Sequence, residues 1–210
     1  MAYVLGFFAA DGYITINKRG GHFWCINISD KKLLMEIRNK IESNHKIGIR
    51  HDKKGKYTTY RLQIGSIGMC DDLRKLGFQP NKTKSLAIPN IPDKHLSHFT
   101  RGYFDGDGHV WSGKINKERK TPHIIIQSVF TSCSNEFLNK LKERLLYFGI
   151  NKGRISKGKG NYYRLVYSVT NSLKLYNFMY NDLALRSLYL DRKKKVFERY
   201  IKMRPWCSLV

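Results

Sequence analysis

The chain has 210 residues, with 39 Lys or Arg against 16 Asp or Glu, a formal charge of +23 at pH 7 and a pI near 10.0. Hydrophobic residues at 41% are enough to build real cores, which argues against disorder, and the length suits one large domain or two small ones. Repulsion on this scale opposes a compact state unless a polyanion answers it, so nucleic acid is the default partner, and neither a membrane nor a small-molecule substrate is expected.

Other classes are excluded by what the chain lacks. No apolar run approaches the ~20 residues that span a bilayer. No Lys/Arg-led secretory signal opens the sequence, so the expected location is the cytoplasm or an organellar matrix rather than outside the cell. Cys25, Cys70, Cys133 and Cys207 form no close pair, which supports neither a zinc ribbon nor a disulfide framework. His22-x-x-Cys25 and His95-x-x-His98 have metal-like spacing, but neither has the second pair that four-coordinate zinc needs. A ribosome-associated or merely basic protein is compatible with composition alone.

In chain order, residues 3–11 read as a helix that is apolar all round (Val4, Leu5, Phe7, Phe8), hence buried on every side. Gly12 is expected to cap it with positive φ. Strands are expected over 13–17 and 22–28, joined by a turn at Lys18-Arg19-Gly20-Gly21. Ser29 or Asp30 then caps a helix bearing Leu33, Leu34, Ile37 and Ile41. Ile47 and Ile49 mark a third strand, 58–64 a fourth, and a short helix runs from about Gly68 to Gly77.

Pro80, Pro89 and Pro92 make the stretch 78–94 extended rather than helical. The pattern then restarts with a helix over 96–107, strands from His109 and over 123–131, and a helix capped by Ser134. Strands over 154–156 and 162–169 follow, then a helix over 172–180 and a basic helix over 188–203 that has no full counterpart earlier. Each half thus reads α-β-β-α-β-β-α. The fold class is α+β: two pseudo-symmetric domains, each an antiparallel four-stranded sheet with helices on one face. Residues 1–88 form the first domain, 89–94 a linker, and 95–210 the second domain with its basic C-terminal helix.

Strand alternation assigns the faces. If Tyr60, Leu62 and Ile64 point inward, Arg61 and Gln63 point out, as do Thr15, Asn17 and Asn27. In the second half Tyr163, Leu165 and Tyr167 point inward and Arg164 out. Such side chains suit base edges in a major groove. Arg19, Arg50, His109 and Trp111 complete the set expected to contact DNA.

The repeat is sharpest in one motif. Val4-Leu5-Gly6-Phe7-Phe8-Ala9-Ala10-Asp11-Gly12 returns as Thr100-Arg101-Gly102-Tyr103-Phe104-Asp105-Gly106-Asp107-Gly108, 96 positions on. Small residues one helical turn apart, at Gly6/Ala10 and Gly102/Gly106, let two helix backbones approach closely. The two motif helices are therefore expected to pack together, with Asp11 and Asp107 at their C-terminal ends. Paired acids at helix C-termini are unfavourable alone. A divalent cation with phosphate oxygens completing its shell would make sense of them, and would activate water for in-line attack on a phosphodiester.

These segments resemble the LAGLIDADG motif of the homing endonucleases, in the single-chain form with two motifs, and the resemblance covers essentially the whole chain. It implies a monomer that binds a long, nearly palindromic double-stranded DNA site in a saddle of two sheets. It also implies cleavage of both strands across the minor groove, leaving short 3′ overhangs. Mg2+ (or Mn2+ or Ca2+) would be bound by Asp11 and Asp107, with the carbonyls of Ala10 and Gly106 as further ligands. Asp105 matches the family's non-metal acid, where the first copy has Ala9. The family's basic residue beside each active site matches Lys82 in the first half, and Lys193 or its neighbour Arg192 in the second. A water-ordering polar residue on the second strand matches Gln127, while the first half offers Asn27 without a close match. The length leaves no room for an intein splicing domain, so an intron-encoded or free-standing enzyme is expected. The competing reading is a non-cleaving relative on the same scaffold, an intron RNA maturase or a transcription regulator.

Overall fold

The computed structural model describes residues 1–52, 55–80, 86–116, 118, 123–181, 183 and 187–203. Its contacts divide the chain into two compact units, residues 1–106 and 107–210.

In the first unit, helix α1 (Ala2–Asp11) buries Tyr3, Val4, Gly6, Phe7, Phe8 and Ala9, as its all-apolar sequence requires. Strands β1 (Gly12–Ile16), β2 (His22–Ile28), β3 (Ile47–His51) and β4 (Thr58–Gly65) form one antiparallel sheet in the order β1-β2-β4-β3. Helix α2 (Lys31–Lys40) is capped by Asp30, whose carboxylate accepts from the Leu33 amide at 2.9 Å. Helix α3 (Ile67–Lys75) is capped by Ser66, which accepts from the Met69 amide. It ends in a Schellman pattern: Gly77, at φ +92°, donates to the Arg74 carbonyl, and Phe78 to that of Leu73.

That exit delivers Phe78 into the core, edge-on to Phe8 at 5.4 Å, while Trp24 stacks on Phe8 at 5.6 Å. The same ring explains Gly12. Its backbone is extended (φ −85°, ψ 158°), not left-handed, so the positive φ expected from sequence is wrong. A Cβ at Gly12 would lie 2.0 Å from the Phe8 ring, and it is this lack of room that demands glycine.

Residues 86–92 contain no helix or strand, and helix α4 (Asp93–Asp107) follows. Sequence pattern assigns α4 to the second half, yet up to Gly106 it groups by contacts with the first unit.

The second unit repeats the sheet with β5 (Gly108–Ile115), β6 (His123–Ser132), β7 (Arg154–Lys157) and β8 (Tyr163–Tyr167), in the order β5-β6-β8-β7. Helix α5 (Asn135–Leu146) carries the Ser134 cap on the Phe137 amide and buries Phe137, Leu138, Leu141 and Leu145. Helix α6 (Val169–Tyr180) starts three residues before the expected position and takes Val169 from the strand. The Ser172 hydroxyl donates to the Tyr167 carbonyl at 3.0 Å, which ends the ladder there and turns the chain. Helix α7 (Asp191–Met203) begins after the buried Leu188 and Leu190, with Asp191 paired to Lys195 one turn on. In each unit one sheet face packs against helices and the other stays open.

Candidate active site and nucleic-acid interface

The glycines of the motif are where α1 and α4 touch. A Cβ on Gly6 would sit 2.0 Å from the Phe99 carbonyl oxygen, and one on Gly102 would sit 2.1 Å from that of Tyr3. These two contacts are related by the same 96-residue offset, since Tyr3 corresponds to Phe99. One turn on, a Cβ on Gly106 would meet the Ala10 methyl at 2.4 Å and the Asp11 carboxylate at 3.1 Å. Only a residue without a side chain lets the backbones come this close.

The contact is not symmetric in chemistry. The Tyr3 hydroxyl donates to Asp105 Oδ2 at 2.8 Å in a buried bond, and the Arg101 guanidinium lies over the Tyr3 ring at 5.5 Å and bonds His98 at 2.9 Å. The corresponding residues of the other copy, Phe99, Ala9 and Leu5, carry no polar group. Asp105 therefore ties helix to helix, a use its position in the motif did not disclose.

Asp11 ends α1, partly exposed, and Asp107 ends α4, exposed. Neither helix has a basic residue in its last turn to offset the negative end of its dipole. Gly106 keeps open the space beside the Asp11 carboxylate that a methyl would fill. Among the described residues no three His, Cys, Asp or Glu side chains converge. A cation here would thus draw on carboxylates, main-chain carbonyls such as those of Ala10 and Gly106, and phosphate oxygens. Those hard donors fit Mg2+ and its neighbours, not zinc.

Lys193 is 5% exposed on α7, and its ammonium donates to the Gly108 carbonyl at 2.6 Å, one residue past Asp107. Arg192 beside it is exposed and lines a surface depression with Lys195, Glu198, Arg199 and Lys202. Lys82 lies outside the described residues.

The open face of the first sheet carries cross-strand rows Thr15–Phe23–Gly65, Tyr13–Cys25–Gln63 and Asn27–Arg61–Gly48. Asn27 and Arg50 are exposed, whereas Thr15, Arg61 and Gln63 are half-buried. Arg61 turns its guanidinium toward Cys25 Sγ at 3.5 Å, and Cys25 is fully buried although it sits on the open side. Burial, with the neighbouring Cys25 thiol, pushes the Tyr13 phenol above its ordinary pKa. Tyr13 and Cys25 belong to this face by strand parity, a signal the sequence reading left unused. Asn17 lies beyond β1. Its side-chain oxygen accepts from the amides of Arg19 and Gly21 at 3.0 and 2.8 Å, so it builds the turn from which Arg19 projects.

On the second sheet the rows are Trp111–Gln127, His109–Val129–Val166–Arg154 and Thr131–Arg164–Ser156. His109, Trp111 and Arg164 are exposed, and Arg164 donates to the Tyr162 hydroxyl at 3.0 Å while lying over its ring. Register also separates Gln127 from Asn27. Gly12 faces Ile26 and Gly108 faces Phe130, so Gln127 occupies the place of Phe23, and Asn27 that of Thr131.

The description LAGLIDADG-like domain matches residues 1–77 and again residues 95–179. In sequence, the chain is 32% identical over 151 residues to a probable translation initiation factor IF-2 of Thermococcus kodakarensis. That match covers 68% of this chain but 12% of the relative, so the chain spans only a small part of that protein's length. In fold it is similar to the LAGLIDADG meganuclease I-AabMI bound to uncleaved DNA, with TM-score 0.65 and 18% identity over 97% of this chain and 90% of that one. It is also similar to the LAGLIDADG homing endonuclease I-SmaMI bound to cleaved DNA, with TM-score 0.66 and 13% identity over 96% and 87%. No helix among the described residues is long and apolar enough to cross a membrane. With each motif-bearing half matched separately, and an α+β sheet and helix order common to both halves, the chain belongs to the LAGLIDADG family.

Proposed function

We propose that the protein is a site-specific double-stranded DNA endonuclease that hydrolyses phosphodiesters with divalent metal. The observation that carries this reading is the glycine-mediated approach of α1 and α4, each of which ends in an aspartate at the negative end of its helix dipole. Asp11 and Asp107 would hold the metal, with the Ala10 and Gly106 carbonyls as further ligands. Bound Mg2+ would supply Lewis-acid stabilisation of the phosphoryl oxygens and lower the pKa of its water.

The chain's own groups do the rest. Lys193, fixed by the Gly108 carbonyl next to Asp107, offers positive charge to the phosphate as its charge builds in the transition state. Lys82 would do the same for the first motif, and Gln127 would order water. The rows bearing Asn27, Arg61 and Gln63, and those bearing His109, Trp111 and Arg164, would read bases from the open sheet faces, with Thr15 and Arg50 beside them. Asn17 would hold the turn that presents Arg19. The 39 Lys and Arg residues supply non-specific attraction to the duplex.

The test is a randomised duplex library offered with Mg2+ to the wild type and to Asp11→Asn and Asp107→Asn. Each substitution is expected to abolish double-strand cleavage while leaving affinity in metal-free buffer within about threefold, since Asn keeps the size of Asp and removes only its charge. Absence of cutting at any tightly bound site by the wild type would sink the nuclease reading. A large loss of metal-free affinity in either variant would make the acids structural.

A further inference from the structure

The two open faces differ in a way that symmetry of fold does not require. At equivalent places the first sheet has Gln63, Cys25 and Asn27, and the second has Val166, Val129 and Thr131, while at one further place the order reverses, Phe23 against Gln127. The contrast deepens on the longer β5–β6 ribbon. There Trp111 is 43% exposed, and Ile125 is partly exposed opposite Gly113. A Cβ on Gly113 would fall 2.5 Å from the Trp111 ring, so the indole reaches over that glycine. The result is a set of apolar side chains, Trp111, Ile125, Val129 and Val166, on a solvent-facing sheet, with Gln127 set among them opposite Trp111 and His109 opposite Val129. Exposed Arg154 and Arg164 stand at its edge, in the same rows as Val166 and Thr131.

Cations beside an apolar strip suit a polyanion that itself carries apolar spots. In the major groove the one apolar feature on a base edge is the 5-methyl group of thymine. Asn, Gln and Arg side chains match the donor and acceptor edges of purines instead. We infer that the second sheet reads its half of the DNA target through thymine methyl groups packed on Trp111, Ile125, Val129 and Val166, whereas the first sheet reads by hydrogen bonds. This inference rests on the DNA-binding part of the proposed function and adds the base class that one half-site presents.

Uracil differs from thymine only by that methyl. Tight sites are first selected in metal-free buffer from a randomised duplex pool made with thymine. The winners are then remade with uracil in one half-site at a time. Selected sites are expected to be thymine-rich in one half only. Uracil in that half should weaken binding about fourfold per methyl contacted, the value of burying one methyl-sized group. Uracil in the other half should leave affinity within a factor of two.

Trp111→Ala should bring the thymine-to-uracil ratio toward one, whereas Arg61→Ala should weaken binding and leave the ratio unchanged. Equal affinity for thymine and uracil versions of a specifically bound site overturns this inference and spares the nuclease reading. So does self-association of the wild type, measured by light scattering, that Trp111→Ala abolishes, because a second copy would then cover the strip. A chain that binds no duplex specifically overturns both.

Discussion

The two motif helices share a backbone contact and differ in everything around it. Gly6 and Gly102 meet the carbonyls of Phe99 and Tyr3 with nearly the same clearance, 2.0 and 2.1 Å for an added Cβ. Around that contact, α4 buries Arg101 and Asp105 where α1 has Leu5 and Ala9. The hydroxyl that serves Asp105 belongs to Tyr3, and its counterpart Phe99 has none. Close approach of backbones was thus kept in both copies, while a polar lock exists in one direction only. Steric fit at a helix crossing tolerates almost no variation, but a hydrogen-bonded pair needs both partners or neither.

This comparison can be broken most severely by building the missing half of the lock without its partner. Ala9 is 2% exposed, so Ala9→Asp buries a carboxylate against apolar neighbours. It should cost several kcal/mol, a large share of the stability of a typical domain. Adding Phe99→Tyr should return part of that loss by supplying the hydroxyl that Tyr3 gives Asp105. Denaturant melts of both single variants and the double variant measure the coupling, expected at about 1–3 kcal/mol for groups in direct contact. A coupling near zero would show that the crossing is not pseudo-symmetric at this level.

The steric half of the comparison predicts equality. Gly6→Ala and Gly102→Ala each push a methyl into a main-chain carbonyl that cannot rotate away. Each should destabilise by about 3 kcal/mol, the upper end of ordinary overpacking. Thermal melts that differ by more than about 1 kcal/mol between the two would contradict the matched geometry. Tyr3→Phe, by contrast, removes one bond to the buried Asp105 carboxylate and should cost about 1–3 kcal/mol.

How much of this the sequence disclosed depends on the kind of signal. The helix crossing was legible because Gly-x-x-x-small appears twice in one register, and each element was legible from periodicity and caps such as Asp30, Ser66 and Ser134. Gly12 was misread because an Asp-Gly pair after a helix suggests a left-handed turn, while its real constraint is the ring of Phe8, a tertiary neighbour. Asn27 has no close match to Gln127 in sequence, and register sets the two apart as well. The β5–β6 ribbon is longer than β1–β2, so the 96-residue offset of the motif does not carry over to β2 and β6, where Thr131 takes the place of Asn27. The strand expected over 162–169 stops at Tyr167, because the Ser172 bond to the Tyr167 carbonyl turns the chain there. Strand parity did assign the open faces, yet it could not show Cys25 buried on one of them under Arg61.

The smallest expected effect concerns the inward faces of the two sheets. Ile64 and Tyr167 hold the same place, each two residues after the central leucine of its strand, Leu62 or Leu165. Tyr167 is fully buried, edge-on to Phe130 at 6.4 Å, and its hydroxyl has no hydrogen-bond partner among the described residues. Burial pushes its phenol well above the ordinary value near 10. A group whose folded pKa is raised contributes stability that is present below its unfolded pKa and lost as pH climbs past it. The second unit should therefore weaken above about pH 10, where the unfolded tyrosine ionises and the buried one cannot. Tyr167→Phe should be neutral or stabilising by up to about 1 kcal/mol at pH 7, because it removes an unsatisfied hydroxyl. It should also flatten the alkaline loss, as read from denaturant midpoints between pH 8 and 11. Tyr13 and Tyr176 are raised too, chiefly by burial, so some slope will persist in the variant. A wild type and variant with parallel pH profiles would mean that the Tyr167 hydroxyl is solvated in the folded protein. The two sheets would then differ less in their interiors than Ile64 and Tyr167 indicate.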